Sequence, residues 1–149
     1  MWLEVLKSLS GGDKSFKKLL EELSVPRFLL SYYTRGLLRR KLVRERGIPS
    51  LYTLTGRGRK ILEVAENNEE LIEAFLQGYT ATAELLEVLE GVPDHLEALR
   101  NAGHLESTAL TVCEALANRG LIRQGRLTEK GKNYLRVYRE FREIVGRKK

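Results

Sequence analysis

The chain repeats itself, and nothing else in it limits the possible folds as tightly. Near the middle of each half, an apolar anchor is followed by four residues and an apolar pair. These are Leu37-LRRK-Leu42-Val43 and Leu116-ANRG-Leu121-Ile122, offset by 79 residues. Downstream of each lies Leu-Thr-x-x-Gly-x-x-x-Leu: Leu54-Thr55-GR-Gly58-RKI-Leu62, then Leu127-Thr128-EK-Gly131-KNY-Leu135, offset by 73. Upstream, Leu3-Glu4-Val5-Leu6 is echoed by Leu86-Glu87-Val88-Leu89 at an offset of 83. Three landmarks in the same order, separated by small insertions, mean that one structural unit is built twice.

The first copy reads as follows. Leu3, Leu6 and Leu9 share a face of a first helix, which Gly11-Gly12 stops. Phe16, Leu19, Leu20 and Leu23 make the stripe of a second helix, with Asp13 or Ser15 as N-cap. Ser24-Val25 turns the chain, and Pro26 suits the first position of a third helix running to about Lys41. That helix turns Leu30, Tyr33, Thr34 and Leu37 inward. Leu42 to Glu45 and Leu51 to Leu54 read as two short strands joined by Gly47-Ile48-Pro49-Ser50. Thr55 caps a fourth helix carrying Ile61, Leu62 and Val64. Helix, helix, turn, helix, hairpin, helix is the order of a winged helix-turn-helix. The expected fold class is mainly α with short β-hairpin wings (α+β), as two tandem winged helix-turn-helix domains. The first spans 1–66 and the second 82–149. A linking segment, 67–81, has its most polar break at Glu66-Asn67-Asn68-Glu69-Glu70 and a linking helix over Glu70 to Gln77.

The residues of the turn and third helix carry a resemblance. Ser24-VPRFLLSYYTRGLLRRKLVRE-Arg46 is similar, without a gap, to the turn and recognition helix of winged-helix transcription regulators of the MarR, ArsR and PadR kind, especially archaeal ones. Tyr52-Thr53-Leu54-Thr55-x-x-Gly58 resembles their second wing strand and helix cap. Gly103-HLESTALTVCEALANRGLIR-Gln124 fits the same frame in the second copy. The resemblance implies a cytoplasmic DNA-binding protein. It says little about a particular role, since winged helices also serve as protein-interaction modules.

Charge separates the copies. Between 27 and 60 lie ten cations, Arg27, Arg35, Arg39, Arg40, Lys41, Arg44, Arg46, Arg57, Arg59 and Lys60, against one acid, Glu45. Residues 1–66 hold 14 Lys/Arg against 7 Asp/Glu, and residues 67–149 hold 12 against 13. A solvated helix face normally mixes signs, because like charges repel. A patch of one sign fits a polyanion. Carried over by the resemblance, Arg27, Phe28, Ser31, Tyr32 and Arg35 stand on the exposed face of the first recognition helix. Arg39, Arg40 and Lys41 stand at its end, Arg44 and Arg46 approach the wing, and Arg57, Arg59 and Lys60 open the fourth helix. All thirteen are expected at double-stranded DNA, with arginine and serine on base edges and phosphates. Phe28 and Leu29 replace groups that are often polar in such regulators. Of Tyr32 and Tyr33, one is expected to pack inward and the other to reach a phosphate.

The matching positions of the second copy are Glu106, Ser107, Thr108, Leu110, Thr111 and Glu114, whose carboxylates repel phosphate, and its wing shrinks to Arg123-Gln124-Gly125-Arg126. This copy is expected to keep the fold without reading a groove. The last helix, Glu129 to Val145, carries Leu135, Tyr138, Phe141, Ile144 and Val145 at helical spacing. Its distal half, with Tyr138, Phe141, Ile144 and Val145, is the expected homodimer interface. The tail Gly146-Arg147-Lys148-Lys149 is expected to fray and to add a weak phosphate contact.

Little points to catalysis. His95, His104 and Cys113 are evenly spaced but lack metal-ligand spacing, and Cys113 is expected as a small buried hydrophobe. Gly56-Arg57-Gly58 is not a phosphate loop, and no nucleophile set is recognisable. No enzyme, cofactor or metal is expected. The single cysteine suits a reducing cytoplasm. No apolar run is long enough for a membrane span, and MWLEVLKSLSGG is not expected to be a signal peptide, because it lacks a basic leader. The expected function is a dimeric DNA-binding regulator. The alternative is a tandem winged-helix adaptor that binds protein through Phe28, Leu29, Tyr32 and Tyr33.

Overall fold

Apolar residues at three- and four-residue spacing build the first helix, α1 (Trp2–Ser10), which buries Trp2, Leu3, Val5, Leu6 and Leu9. The computed structural model describes residues 1–92 and 94–146. The chain is mainly helical, with two small antiparallel hairpins. By backbone contacts it divides into two units: Met1–Gly78 with the segment from Glu140, and Tyr79–Arg139.

In the first unit, α2 (Phe16–Leu23) starts at Ser15, whose hydroxyl accepts the Lys18 amide at 3.2 Å, and ends at Ser24 in a left-handed conformation. Helix α3 (Arg27–Arg39) follows, with Pro26 just before its first residue rather than at it. It ends two residues short of the expected Lys41, because Lys41 turns to φ 61° and the Leu42 amide folds back onto the Leu37 carbonyl. Leu30, Thr34 and Leu37 are buried as expected. Strands β1 (Val43–Arg46) and β2 (Leu51–Leu54) pair in register from Val43↔Leu54 to Arg46↔Leu51. The first strand lies one residue later than expected. Lys14 joins the free edge of β2 through two backbone bonds to Tyr52. Thr55 then caps α4 (Gly56–Ala65) by accepting the Gly58 amide.

Helix α5 (Glu69–Gln77), in the segment expected to link the copies, packs on α1 and α4. Its Glu73 carboxylate takes the terminal ammonium of Met1, the Trp2 amide at 2.8 Å and the Leu3 amide at 2.9 Å. These are donors that the start of a helix leaves without partners, so α5 supplies the cap that α1 lacks in its own sequence.

The order then repeats: α6 (Ala81–Leu89), α7 (His95–Asn101), α8 (Glu106–Asn118), β3 (Ile122–Arg123), β4 (Arg126–Leu127) and α9 (Glu129–Val145), whose residues from Glu140 belong to the first unit. Gln124 and Gly125, both at positive φ, form the two-residue turn between β3 and β4. From α1 to the start of the hairpin the offset is a constant 79. Trp2 matches Ala81, Phe16 matches His95, and both ends of α3 match those of α8. The Leu-Glu-Val-Leu echo at offset 83 is therefore displaced by four residues, about one helical turn.

The apolar stripe of α9 is used within the chain. Tyr138 and Phe141 are buried, and the Phe141 ring lies 5.6 Å from Phe75 in the first unit. Tyr138 and Phe141, expected at a homodimer interface, are thus already packed within the chain. Ile144 and Val145 are half-buried. Of the expected fraying tail, 147–149 lie outside the described residues. No helix among the described residues is long and apolar enough to cross a membrane.

Candidate nucleic-acid interface

The outward face of α3 follows from its helical rows. Arg27, Ser31 and Arg35 stand at i, i+4 and i+8, with Phe28, Tyr32 and Arg39 beside them. Arg27, Phe28, Tyr32, Arg35 and Arg39 are exposed, Phe28 at 72%. Ser31 is half-buried, and its carbonyl accepts the Arg35 Nε at 3.4 Å. The Arg27 guanidinium lies 5.5 Å from the centre of the Phe16 ring, so α2 steadies its stem.

Two expected contact residues have structural roles instead. Tyr32 and Tyr33 both meet the buried Trp2 edge-on, at 5.5 and 5.0 Å between centroids. One rim of Tyr32 stays in solvent, but neither ring is free in the way expected. Arg40 is half-buried with its guanidinium 5.2 Å from the Trp2 ring centre, and its Nη1 is buried without a partner. Burial, then the neighbouring Arg39, holds its pKa below the usual guanidinium value. Arg40 is thus a packed cation and not an outward one. Gly36 makes the arrangement possible, since a methyl group there would sit 2.5 Å from Trp2. Sequence patterning gave no signal for this cluster, because Trp2 lies far from α3 along the chain.

The remaining cations surround the hairpin. Lys41, Arg44 and Arg57 line a notch of about 740 Å³ with Glu45, Thr55 and Gly56. Arg44 and Arg46 are exposed on β1, and Arg59 and Lys60 are exposed on α4. Arg46 reaches Asp13 at 3.4 Å. The hairpin tip is fully exposed, Ile48 included.

Among the described residues, no carboxylate pairs with Arg27, Arg35, Arg39, Lys41, Arg44, Arg57, Arg59 or Lys60. The second unit differs. Arg139 is held by Glu87 and Glu90, Arg100 by Glu97 and Glu106, and Lys132 by Glu129. Its α8 exposes Glu106, Ser107, Thr108, Leu110, Thr111 and Glu114, with Glu106 and Glu114 at the places of Arg27 and Arg35 on α3.

His95 and Cys113 line one shallow apolar depression with Asp94, Leu96, Leu110 and Gly125. Cys113 is half-exposed, not buried as expected, although its counterpart Thr34 is buried. Burial, with Asp94 adding, pushes its thiol pKa up and away from reactivity. His95 is buried, and its Nε2 has no partner. Among the described residues, no group of three or more His, Cys, Asp or Glu is placed to hold a metal. Comparison of the chain with protein-family models, with curated proteins and with solved structures gives no match.

Proposed function

We propose that this chain binds double-stranded DNA through its first unit and acts as a winged-helix transcription regulator of the MarR, ArsR and PadR kind. The observation that carries the reading is the unpaired one-sign surface on α3, the hairpin and the start of α4. A chain with 20 acidic residues leaves Arg27, Arg35, Arg39, Lys41, Arg44, Arg57, Arg59 and Lys60 without a carboxylate partner among the described residues, with Arg46 reaching Asp13, while Arg100, Lys132 and Arg139 of the second unit are paired. Phosphates would relieve the repulsion stored there. In a winged helix the third helix lies in the major groove, where arginines of the exposed row reach base edges and phosphates. The notch lined by Lys41, Arg44 and Arg57 adds cations beside the wing. The second unit, with Glu106 and Glu114 at the equivalent places, is a scaffold in this reading.

A protein-binding adaptor is the second reading. The exposure of Phe28 and Ile48 favours it, since large apolar side chains at a helix face and a hairpin tip suit a partner protein. Salt separates the two. Fluorescence anisotropy of labelled random duplex DNA should report binding that falls steeply from low to physiological salt. Absence of binding at low salt would overturn the DNA reading and leave the adaptor.

A further inference from the structure

We infer that the outward face of α8 is a docking surface for α3 of a second copy of this chain, so that self-association covers the face proposed to meet DNA. The two helices match residue for residue at an offset of 79, and their exposed rows carry opposite charge. On α3 the row is Arg27, Ser31, Arg35; on α8 it is Glu106, Leu110, Glu114. In both rows the charges stand eight residues apart, about 12 Å along a helix axis. In both, one uncharged residue stands midway between them.

Laid antiparallel, the rows complement each other at every step. Arg27 meets Glu114, Arg35 meets Glu106, and the small Ser31 faces the larger Leu110. Rows at four-residue spacing are the ridges that interdigitate when helices cross. The flanks support the contact. Leu110 is 49% exposed, and Leu105 and Phe28, at the N-terminal edges of the two faces, are 75% and 72% exposed. Each face therefore adds apolar surface beside its charged row that the contact would remove from water. In this register Tyr32 comes opposite Thr108 and Thr111, which flank Leu110 and are small enough to admit its exposed rim. Glu106 has one long competing contact, 4.0 Å from Arg100, and stays 79% exposed. No cation among the described residues pairs with Glu114. Each row thus lacks what the other provides, and opposed charges across an interface fix register as well as attraction.

The surface is tested by charge exchange in the full chain. One variant carries Arg27→Glu and Arg35→Glu, and the other carries Glu106→Lys and Glu114→Lys. All four positions are exposed, and circular dichroism verifies that both variants keep the helical content of the parent. In sedimentation velocity at low salt, the parent should associate as concentration rises, and should dissociate at high salt. Each variant alone should be monomeric, because its two faces then bear the same sign. An equimolar mixture should associate again, since the acidic α3 of one variant fits the basic α8 of the other. A parent that stays monomeric at low salt, variants that still associate singly, or a mixture that does not recover would each overturn the inference. Sedimentation needs no DNA, so this outcome stands apart from the fate of the DNA reading. If both hold, DNA binding by the parent should weaken at the protein concentrations at which sedimentation shows association.

Discussion

The Thr55 hydroxyl donates to the Lys41 carbonyl at 2.7 Å and accepts the Gly58 amide at 3.1 Å, tying the end of α3 to the start of α4. Thr128 makes the same pair of bonds, to Gly120 at 2.5 Å and from Gly131 at 3.0 Å. The glycines are part of the device. A Cβ on Gly58 would lie 2.3 Å from the Leu42 carbonyl oxygen, and one on Gly131 would lie 2.1 Å from that of Leu121. Since those neighbours are backbone, a methyl group cannot be accommodated by turning a side chain. Thr55→Val and Thr128→Val should each cost about 1–2 kcal/mol. Gly58→Ala and Gly131→Ala should cost more, roughly 2–4 kcal/mol, as overpacking against rigid backbone. Urea unfolding followed by circular dichroism measures all four. Loss confined to one copy would mean that the two joints are not equivalent.

The arginines of α3 should divide into two kinds. Arg35→Ala and Arg39→Ala remove exposed, unpaired cations, so each should weaken DNA binding and lower the salt slope by about one. Arg40→Ala removes a guanidinium packed on Trp2. It should lower the melting temperature while changing dilute DNA affinity less than Arg35→Ala does. Glu106→Ala should leave affinity nearly unchanged when the protein is too dilute to associate. Equal losses at Arg35 and Glu106 would sink the assignment of DNA contact to the first unit alone.

How much of this was legible in the sequence depended on distance along the chain. The helices and hairpins followed from periodicity and caps, and the Thr55 cap was readable because its partner lies three residues away. The Lys41 turn was not. A lysine at φ 61° is unusual, since the left-handed helix end that Lys41 and Leu42 close onto Leu38 and Leu37 is normally announced by glycine. The landmark at offset 83 misled because leucine-rich helices resemble themselves one turn along. Arg40 was assigned to the DNA-facing surface, and Phe141 to a second subunit, by local position. Trp2 and Phe75 claim them from remote segments, and helical spacing carries no record of such partners.

Phe141 should therefore behave as a core residue. It is 5% exposed and packs on Phe75, itself 1% exposed. Phe141→Ala should cost about 3–5 kcal/mol through lost burial and the cavity left behind. The association state in sedimentation should not change in step with that loss. A variant of unaltered stability that dissociates a dimer would return this side chain to an interface.

Glu73 gives the first unit a defined response to acid. Burial opposes its ionisation, but the hydrogen bonds from the terminal ammonium and from the Leu3 and Trp2 amides outweigh burial, and its pKa lies below the ordinary glutamate value. A carboxylate whose folded pKa is depressed binds its proton more readily in the unfolded chain. Its contribution is complete above the unfolded glutamate pKa and fades as pH falls through the lower folded one. Glu73→Gln should thus cost roughly 1.5 kcal/mol at neutral pH, the low end for hydrogen bonds to a charged group because its side chain is 32% exposed. The gap between parent and variant should be constant from neutral pH down to the ordinary glutamate range and should shrink below it. Urea midpoints measured across that range decide the matter. A gap that persists undiminished in acid would mean that the shape of Glu73, and not its charge, holds the start of α1.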